Sequence, residues 1–294
     1  MDMNKIQTLV STKWLHQCIL RPQGSYNMRI LDTSWYLPTA NRDPKAEYAK
    51  KHIPGALYFD IDECCDKTSP YSHMLPKTAD FERYVRGLGI DNQTHVIVYD
   101  GSDSCGFFSA QRIWWTFRVF GHSLVSLLDG GFKKWCSEGL PTTDQKDQVP
   151  ITNFKADFQS QMVKHFEDIE RNLNNKTFQL VDARGPGRFK GLEPEPRQGI
   201  KPGHIPNAVN IPFSKLVNLE QQTFKNKEEL IEIFNQANID LSKPLVATCG
   251  SGVTACCIAL AAHLCDKEVP VYDGSWTEWY LRSTPEQRED CPDK

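Results

Sequence analysis

The chain has 294 residues, of which 39% are hydrophobic and 24% charged, and a formal net charge of -3. That length exceeds one compact core and fits two domains of roughly 100–150 residues, and the apolar share excludes an intrinsically disordered chain. The near-neutral charge offers no broad positive field for nucleic acid or an anionic membrane, and no apolar run reaches the ~18 residues that span a bilayer.

The beginning lacks the basic start, apolar middle and small-residue cleavage site of a secretory signal. Lys5, Lys13 and Arg21 are too few for a persuasive mitochondrial presequence, so the expectation is a protein of the cytoplasm, the mitochondrion or both, not secreted. Ten cysteines occur without a Cys-x-x-Cys spacing, which leaves no framework for structural zinc. The vicinal pairs Cys64-Cys65 and Cys256-Cys257 point to reduced thiols, most of them small buried apolar groups.

Ser11 reads as the N-cap of a first helix carrying Trp14, Leu15 and Ile19. Leu31-Asp32 then ends a first apolar run, His52-Ile53-Pro54-Gly55-Ala56 forms a turn, and Val96-Ile97-Val98-Tyr99 reads as a buried strand before Asp100. Leu128-Asp129-Gly130-Gly131-Phe132, followed by Trp135, closes the series. From Glu138 to about Phe154 the pattern is polar, with Pro141 and Pro150 and no apolar period, so it reads as an exposed connection.

After that connection the same features return in order, at a lag near half the chain length. Val181-Asp182 repeats Leu31-Asp32, and His204-Ile205-Pro206-Asn207-Ala208 repeats the turn. Leu245-Val246-Ala247-Thr248 repeats the buried strand and places Cys249 opposite Asp100. Tyr272-Asp273-Gly274-Ser275-Trp276, with Trp279, repeats the closing element. Each copy alternates short β-branched runs with helical patterns, which predicts an α/β domain with a mainly parallel sheet flanked by helices. The boundaries expected are 1–138 for the first domain, 139–164 for the hinge, 165–288 for the second domain and 289–294 for a tail. His52 and His204, at matching places, read as shared structural turns, and Trp114, Trp115, Trp276 and Trp279 as packing residues.

Cys249-Gly250-Ser251-Gly252-Val253 must be the turn between the strand 245–248 and a helix from about Thr254 to Leu264. Two glycines allow successive N–H groups to converge into an anion-binding concavity at the helix start. A cysteine there meets positive potential, which favours the thiolate, the species that attacks sulfur, and equally favours a persulfide anion. In isolation Cys-Gly-Ser-Gly fits a tight strand-to-helix turn as well as it fits a site. Its place at the C-terminal edge of an α/β sheet, where such folds bind ligands, favours the site.

Cys249-Gly250-Ser251-Gly252-Val253-Thr254-Ala255-Cys256 resembles the active-site loop of the mercaptopyruvate-using branch of the rhodanese superfamily. The resemblance covers nearly the whole chain. It includes His52-Ile53-Pro54-Gly55-Ala56, Arg112 with Trp114-Trp115, Asp129-Gly130-Gly131, Gly187-Arg188-Phe189, Glu193-Pro194-Glu195-Pro196-Arg197, Gly203-His204-Ile205-Pro206 and Asp273-Gly274-Ser275-Trp276. It implies two tandem rhodanese-like domains, the second catalytic and the first without its cysteine, in keeping with Asp100.

By that resemblance Cys249 carries sulfur as a persulfide, and Gly250, Gly252, Val253 and Thr254 line the donor site. Arg188 and Arg197 would bind the donor's carboxylate and ketone. Ser251, His73 and Asp62 would form a proton relay in which Asp62 orients His73. Relatives that use thiosulfate carry two basic residues after the cysteine, whereas Gly250 and Ser251 are neutral, so 3-mercaptopyruvate is the expected donor. The expected acceptors are thioredoxin, another dithiol or cyanide, with no metal or organic cofactor, and the expected state is a monomer or a redox-linked dimer.

Three rivals remain on sequence alone. Thiosulfate:cyanide sulfur transfer shares the persulfide chemistry. A cysteine phosphatase of related fold would need an arginine where Ala255 stands. A non-enzymatic sulfur-carrier or interaction module suits the first domain, with Asp100, better than the second. Oxidation of the low-pKa thiol to sulfenic acid is a further expectation, and Cys64, Cys65, Cys105 and Cys265 are the candidates for intermolecular disulfides.

Overall fold

The structure, a computed structural model, describes residues 6–22, 26–104 and 106–290. Lys5, Cys105 and the tail beyond residue 290 lie outside the described residues. The chain forms two compact units.

In the first unit the strands are β1 (Leu9–Val10), β2 (Met28–Asp32), β3 (Ala56–Tyr58), β4 (His95–Tyr99) and β5 (Val125–Leu128), in the order β1-β5-β4-β2-β3. All four pairings are parallel, with Ile30 opposite Ile97 and Ile97 opposite Ser126. Ser11 caps the helix Thr12–Ile19 by accepting from the Trp14 amide. Val96, Ile97 and Val98 are fully buried on both faces of the central strand, as a continuous apolar run in a covered parallel sheet requires. The core on one side gathers Leu15, Ile53, Ile97, Tyr99 and Trp135.

In the second unit β6 (Val163–Lys164), β7 (Gln179–Asp182), β9 (Ala208–Asn210), β12 (Leu245–Thr248) and β13 (Val271–Tyr272) form a parallel sheet in the order β6-β13-β12-β7-β9. This is the first sheet's topology over again. Short pairs complete the strands: β8 (Gly203–His204) with β14 (Glu289–Asp290) in this unit, and β10 (Val217–Asn218) with β11 (Thr223–Phe224), a pair that belongs to the first. The core gathers Phe166, Ile169, Val246, Tyr272, Trp276 and Trp279. The helix Ala255–Leu264 is buried from Ala255 through Ala262, and its apolar residues run all round it because protein surrounds it.

The two histidines of the repeated turn do the same local work. His52 Nδ1 lies 2.7 Å from the Tyr48 carbonyl with its ring stacked on Tyr48. His204 Nδ1 lies 2.8 Å from the Phe189 carbonyl with its ring stacked on Phe189. Trp114, Trp115, Trp276 and Trp279 are all buried.

The units are not simple halves of the chain. Residues 68–74 belong to the second unit, and Val217–Phe224 to the first, where the Phe224 amide donates to Asp129 Oδ1 at 2.8 Å. The stretch read as a loose connection is pinned along the first unit. Thr143 exchanges backbone hydrogen bonds with His52, the Phe154 carbonyl accepts from Arg86, and the Phe154 ring is buried. Single anchors on extended backbone leave no periodic trace in a sequence, which is why the pattern reads as exposed. Likewise Glu289–Asp290, placed in the tail by pattern, form a strand against Gly203–His204. Among the described residues no helix is long and apolar enough to cross a membrane.

Candidate active site

Cys249 follows the last residue of β12, at the C-terminal edge of the sheet, and is 2% exposed. The loop it opens is held from outside by the helix Ser275–Arg282. The Cys249 amide donates to Ser275 Oγ, the Cys249 carbonyl accepts from the Trp276 amide at 2.9 Å, and the Gly250 carbonyl accepts from the Thr277 amide at 3.0 Å and from Thr277 Oγ1 at 2.7 Å. In a trans peptide the carbonyl and the following N–H point opposite ways. With both carbonyls turned to that helix, the Gly250 and Ser251 N–H groups face the other side of the loop. Among the described residues the N–H groups of Gly250, Ser251, Val253 and Thr254 donate to no protein acceptor. Gly252 turns the chain at φ 75, a left-handed conformation that costs a side-chain-bearing residue dearly. Its carbonyl accepts from the Cys256 thiol, 3.3 Å away.

The first unit shows what such a loop is built to hold. Asp100, the residue after β4, is fully buried. Its Oδ2 accepts from the amides of Phe108, Ser109 and Ala110, and its Oδ1 from the Ser102 amide. A carboxylate thus fills the amide cradle at the start of the helix Ala110–Val119. In the second unit a thiol stands at the head of the corresponding loop, and the amides are left for an anion.

Ser251 Oγ accepts from Arg197 NH2 at 2.9 Å and lies 3.3 Å from His73 Nδ1. The serine hydroxyl therefore accepts from the guanidinium and is free to donate to the imidazole. His73 is buried and adopts φ 66, an unusual backbone for a residue with a side chain. Arg197 Nε also donates to Ser72 Oγ at 3.1 Å. Asp62 lies in the first unit, where it accepts from Trp35 Nε1 at 3.0 Å. Val253 and Thr254 are buried in the loop and at the cap of the following helix.

Arg188 sits on the short helix Pro186–Phe189, its side chain 20% exposed, with NH1 3.4 Å from Glu195 Oε2. Beneath it is a group that pattern reading gave no role: Arg184, with no exposed surface. It donates to both Asp182 oxygens, to Glu195 Oε1 at 2.7 Å and to the Gly203 carbonyl at 2.6 Å, and lies over the Trp276 ring. Burial works against the Arg184 charge, but the Asp182 and Glu195 carboxylates outweigh it and hold its pKa above the ordinary value. The sequence does carry a trace of it: an acid ending β7 with an arginine two positions on. A Cβ built on Gly250 would lie 3.8 Å from Arg197 NH1 and 3.8 Å from Glu195 Oε2, so both charged groups border the residue next to Cys249.

Together these groups offer a nucleophilic sulfur, an anion-accepting loop, two guanidiniums and a hydroxyl–imidazole pair, which is equipment for thiol chemistry on a small acid. Comparison with known proteins agrees. The rhodanese-like domain family matches the chain twice, over residues 16–138 and 165–282. Human 3-mercaptopyruvate sulfurtransferase is 51% identical over 95% of this chain and 94% of its own. Rat thiosulfate sulfurtransferase is 50% identical over 96% of this chain and 95% of its own. The crystal structure of the Escherichia coli 3-mercaptopyruvate sulfotransferase SseA matches with a TM-score of 0.81 at 35% identity, covering 92% of this chain and 99% of that one. The chain therefore belongs to the rhodanese family of sulfurtransferases, with two rhodanese-like domains in tandem.

Proposed function

We propose that this sulfurtransferase takes the sulfur of 3-mercaptopyruvate onto Cys249 as a persulfide and passes it to a thiol acceptor, thioredoxin or another small dithiol, with cyanide as an alternative acceptor. The observation that carries the donor assignment is the neutral pair Gly250 and Ser251 bordered by Arg197, with Arg188 one carboxylate away across Glu195. A donor with one carboxylate needs guanidinium partners but no further cation in the loop. Thiosulfate is the rival donor, and the rat relative's name keeps it in view. Its two charges would find no basic side chain within residues 249–254.

In the proposed reaction the Cys249 thiolate attacks the donor's sulfur, an S–S bond forms, and the carbon–sulfur bond breaks with its electron pair leaving on pyruvate as the enolate. Arg188 and Arg197 hold the carboxylate and the developing enolate oxygen. The thiol proton of the donor and the proton that completes pyruvate pass through Ser251 and His73, with Asp62 proposed to orient the imidazole. The persulfide anion rests against the free amides of the loop, as the Asp100 carboxylate does in the first unit. An acceptor thiolate then attacks the outer sulfur and regenerates Cys249. A second acceptor thiol closes a disulfide and releases sulfide.

We further propose that the protein works in the cytoplasm, the mitochondrion or both, as a monomer or a redox-linked dimer. Support comes from the thiols: among the described residues Cys18, Cys64, Cys65, Cys136, Cys249 and Cys265 form no disulfide. The decisive measurement is mass spectrometry of the Cys249 peptide after brief exposure to each donor. Expected is one added sulfur, arriving faster from 3-mercaptopyruvate than from thiosulfate. Full turnover by Cys249→Ser would end the assignment.

A further inference from the structure

Four charged side chains stand in a row behind the donor site: Asp182, Arg184, Glu195 and Arg188. Arg184 takes no donor itself, because it has no exposed surface and its guanidinium is already shared among two carboxylates and a carbonyl. Glu195 is different. Its side chain is 3% exposed, one oxygen is fixed by Arg184 at 2.7 Å, and the other is 3.4 Å from Arg188. The tight contact anchors the carboxylate, and the loose one leaves Arg188 with donors to spare. The loosely held oxygen is also the one 3.8 Å from where a Gly250 side chain would begin, so a ligand at Cys249 meets its charge.

We infer that Glu195 is a charge-setting positioning residue: anchored by buried Arg184, it holds Arg188 for the donor while offsetting part of its charge, so that the site accepts a monoanion and resists a dianion. The inference deepens the donor reading above and rests on it. Every Coulomb term scales with the ligand's charge, so the fixed carboxylate beside the site penalises a dianion twice as much as a monoanion and cancels part of what the arginines supply. Geometry alone would let Glu195 serve only as a strut, and the two roles separate in experiment.

Glu195→Gln keeps the shape and an accepting oxygen but removes the charge. The expected result is a rise of about tenfold in the ratio of thiosulfate to 3-mercaptopyruvate kcat/KM. A readout that does not depend on the donor is alkylation of Cys249, with anionic iodoacetate compared against neutral iodoacetamide by peptide mass spectrometry. Their rate ratio should rise about fivefold in Glu195→Gln and in Glu195→Ala, and stay within twofold of wild type in Glu195→Asp, which keeps the charge. A wild-type enzyme that prefers thiosulfate would overturn the donor reading and leave the alkylation ratio to judge Glu195. Alkylation ratios unchanged in folded Glu195→Gln and Glu195→Ala would overturn the inference. Failure of both variants to fold would overturn it too, by making Glu195 a strut.

Discussion

At the scale of single residues, the contrast between Asp100 and Cys249 explains most of the site. Each follows the central strand of its sheet, and each heads a loop whose amides gather before a buried helix. The Asp100 side chain accepts from four of those amides in the first unit. A thiolate or persulfide is a softer anion that comes and goes. Ser251 is the residue on which the remaining groups converge, since it accepts from Arg197 and faces His73. Ser251→Ala is expected to lower kcat with 3-mercaptopyruvate by about 10²-fold, with a smaller rise in KM, because the proposed proton passage would be broken while Arg197 loses one of its hydroxyl partners. Steady-state kinetics would test this, and an unaltered kcat would exclude Ser251 from the relay.

At the scale of elements, short connections do the positioning. Within the first unit the hairpin β10–β11 is held through the Phe224 amide, which donates to Asp129. Burial pushes the Asp129 carboxyl up to about 6, and the Phe224 amide and Lys134 offset only part of that. A carboxyl raised above its unfolded value holds more protons in the folded state. It therefore stabilises below about pH 4, and that contribution is lost as pH rises through about 6. Asp129→Asn keeps an oxygen for the Phe224 amide and cannot titrate. Its stability relative to wild type should grow on the order of 2 kcal/mol between pH 4 and pH 7, then level off, as read by urea unfolding at a series of pH values. A difference that is flat across that range would mean that the carboxyl titrates normally.

At the scale of the whole molecule, each unit has its own aromatic core, so damage in one core should report locally. Trp135→Ala in the first unit and Trp279→Ala in the second are each expected to cost about 3–5 kcal/mol, both rings being fully buried. Hydrogen exchange followed by mass spectrometry should show the loss of protection concentrated in the unit that carries the substitution. The duplication itself, the parallel sheets and the cysteine at the strand-to-helix turn were all legible from the residues. Alternating apolar periods and glycine spacing act locally, and local rules leave repeating marks on a chain. The architecture, the family and the strand-to-helix turn that carries Cys249 could therefore be read from the residues alone. The tertiary structure decided the rest. It brought His73 and Ser72, from residues 68–74, to Ser251 and Arg197 in the second unit, buried Arg184 between Asp182 and Glu195, and pinned the connecting strap to the first unit. The contacts of His73, Ser72 and the strap join residues far apart in the chain through one side chain or one backbone pair each, which leaves no period or motif by which the partner is read, and the Asp182–Arg184 spacing becomes an ion pair only once Glu195 and burial close around it.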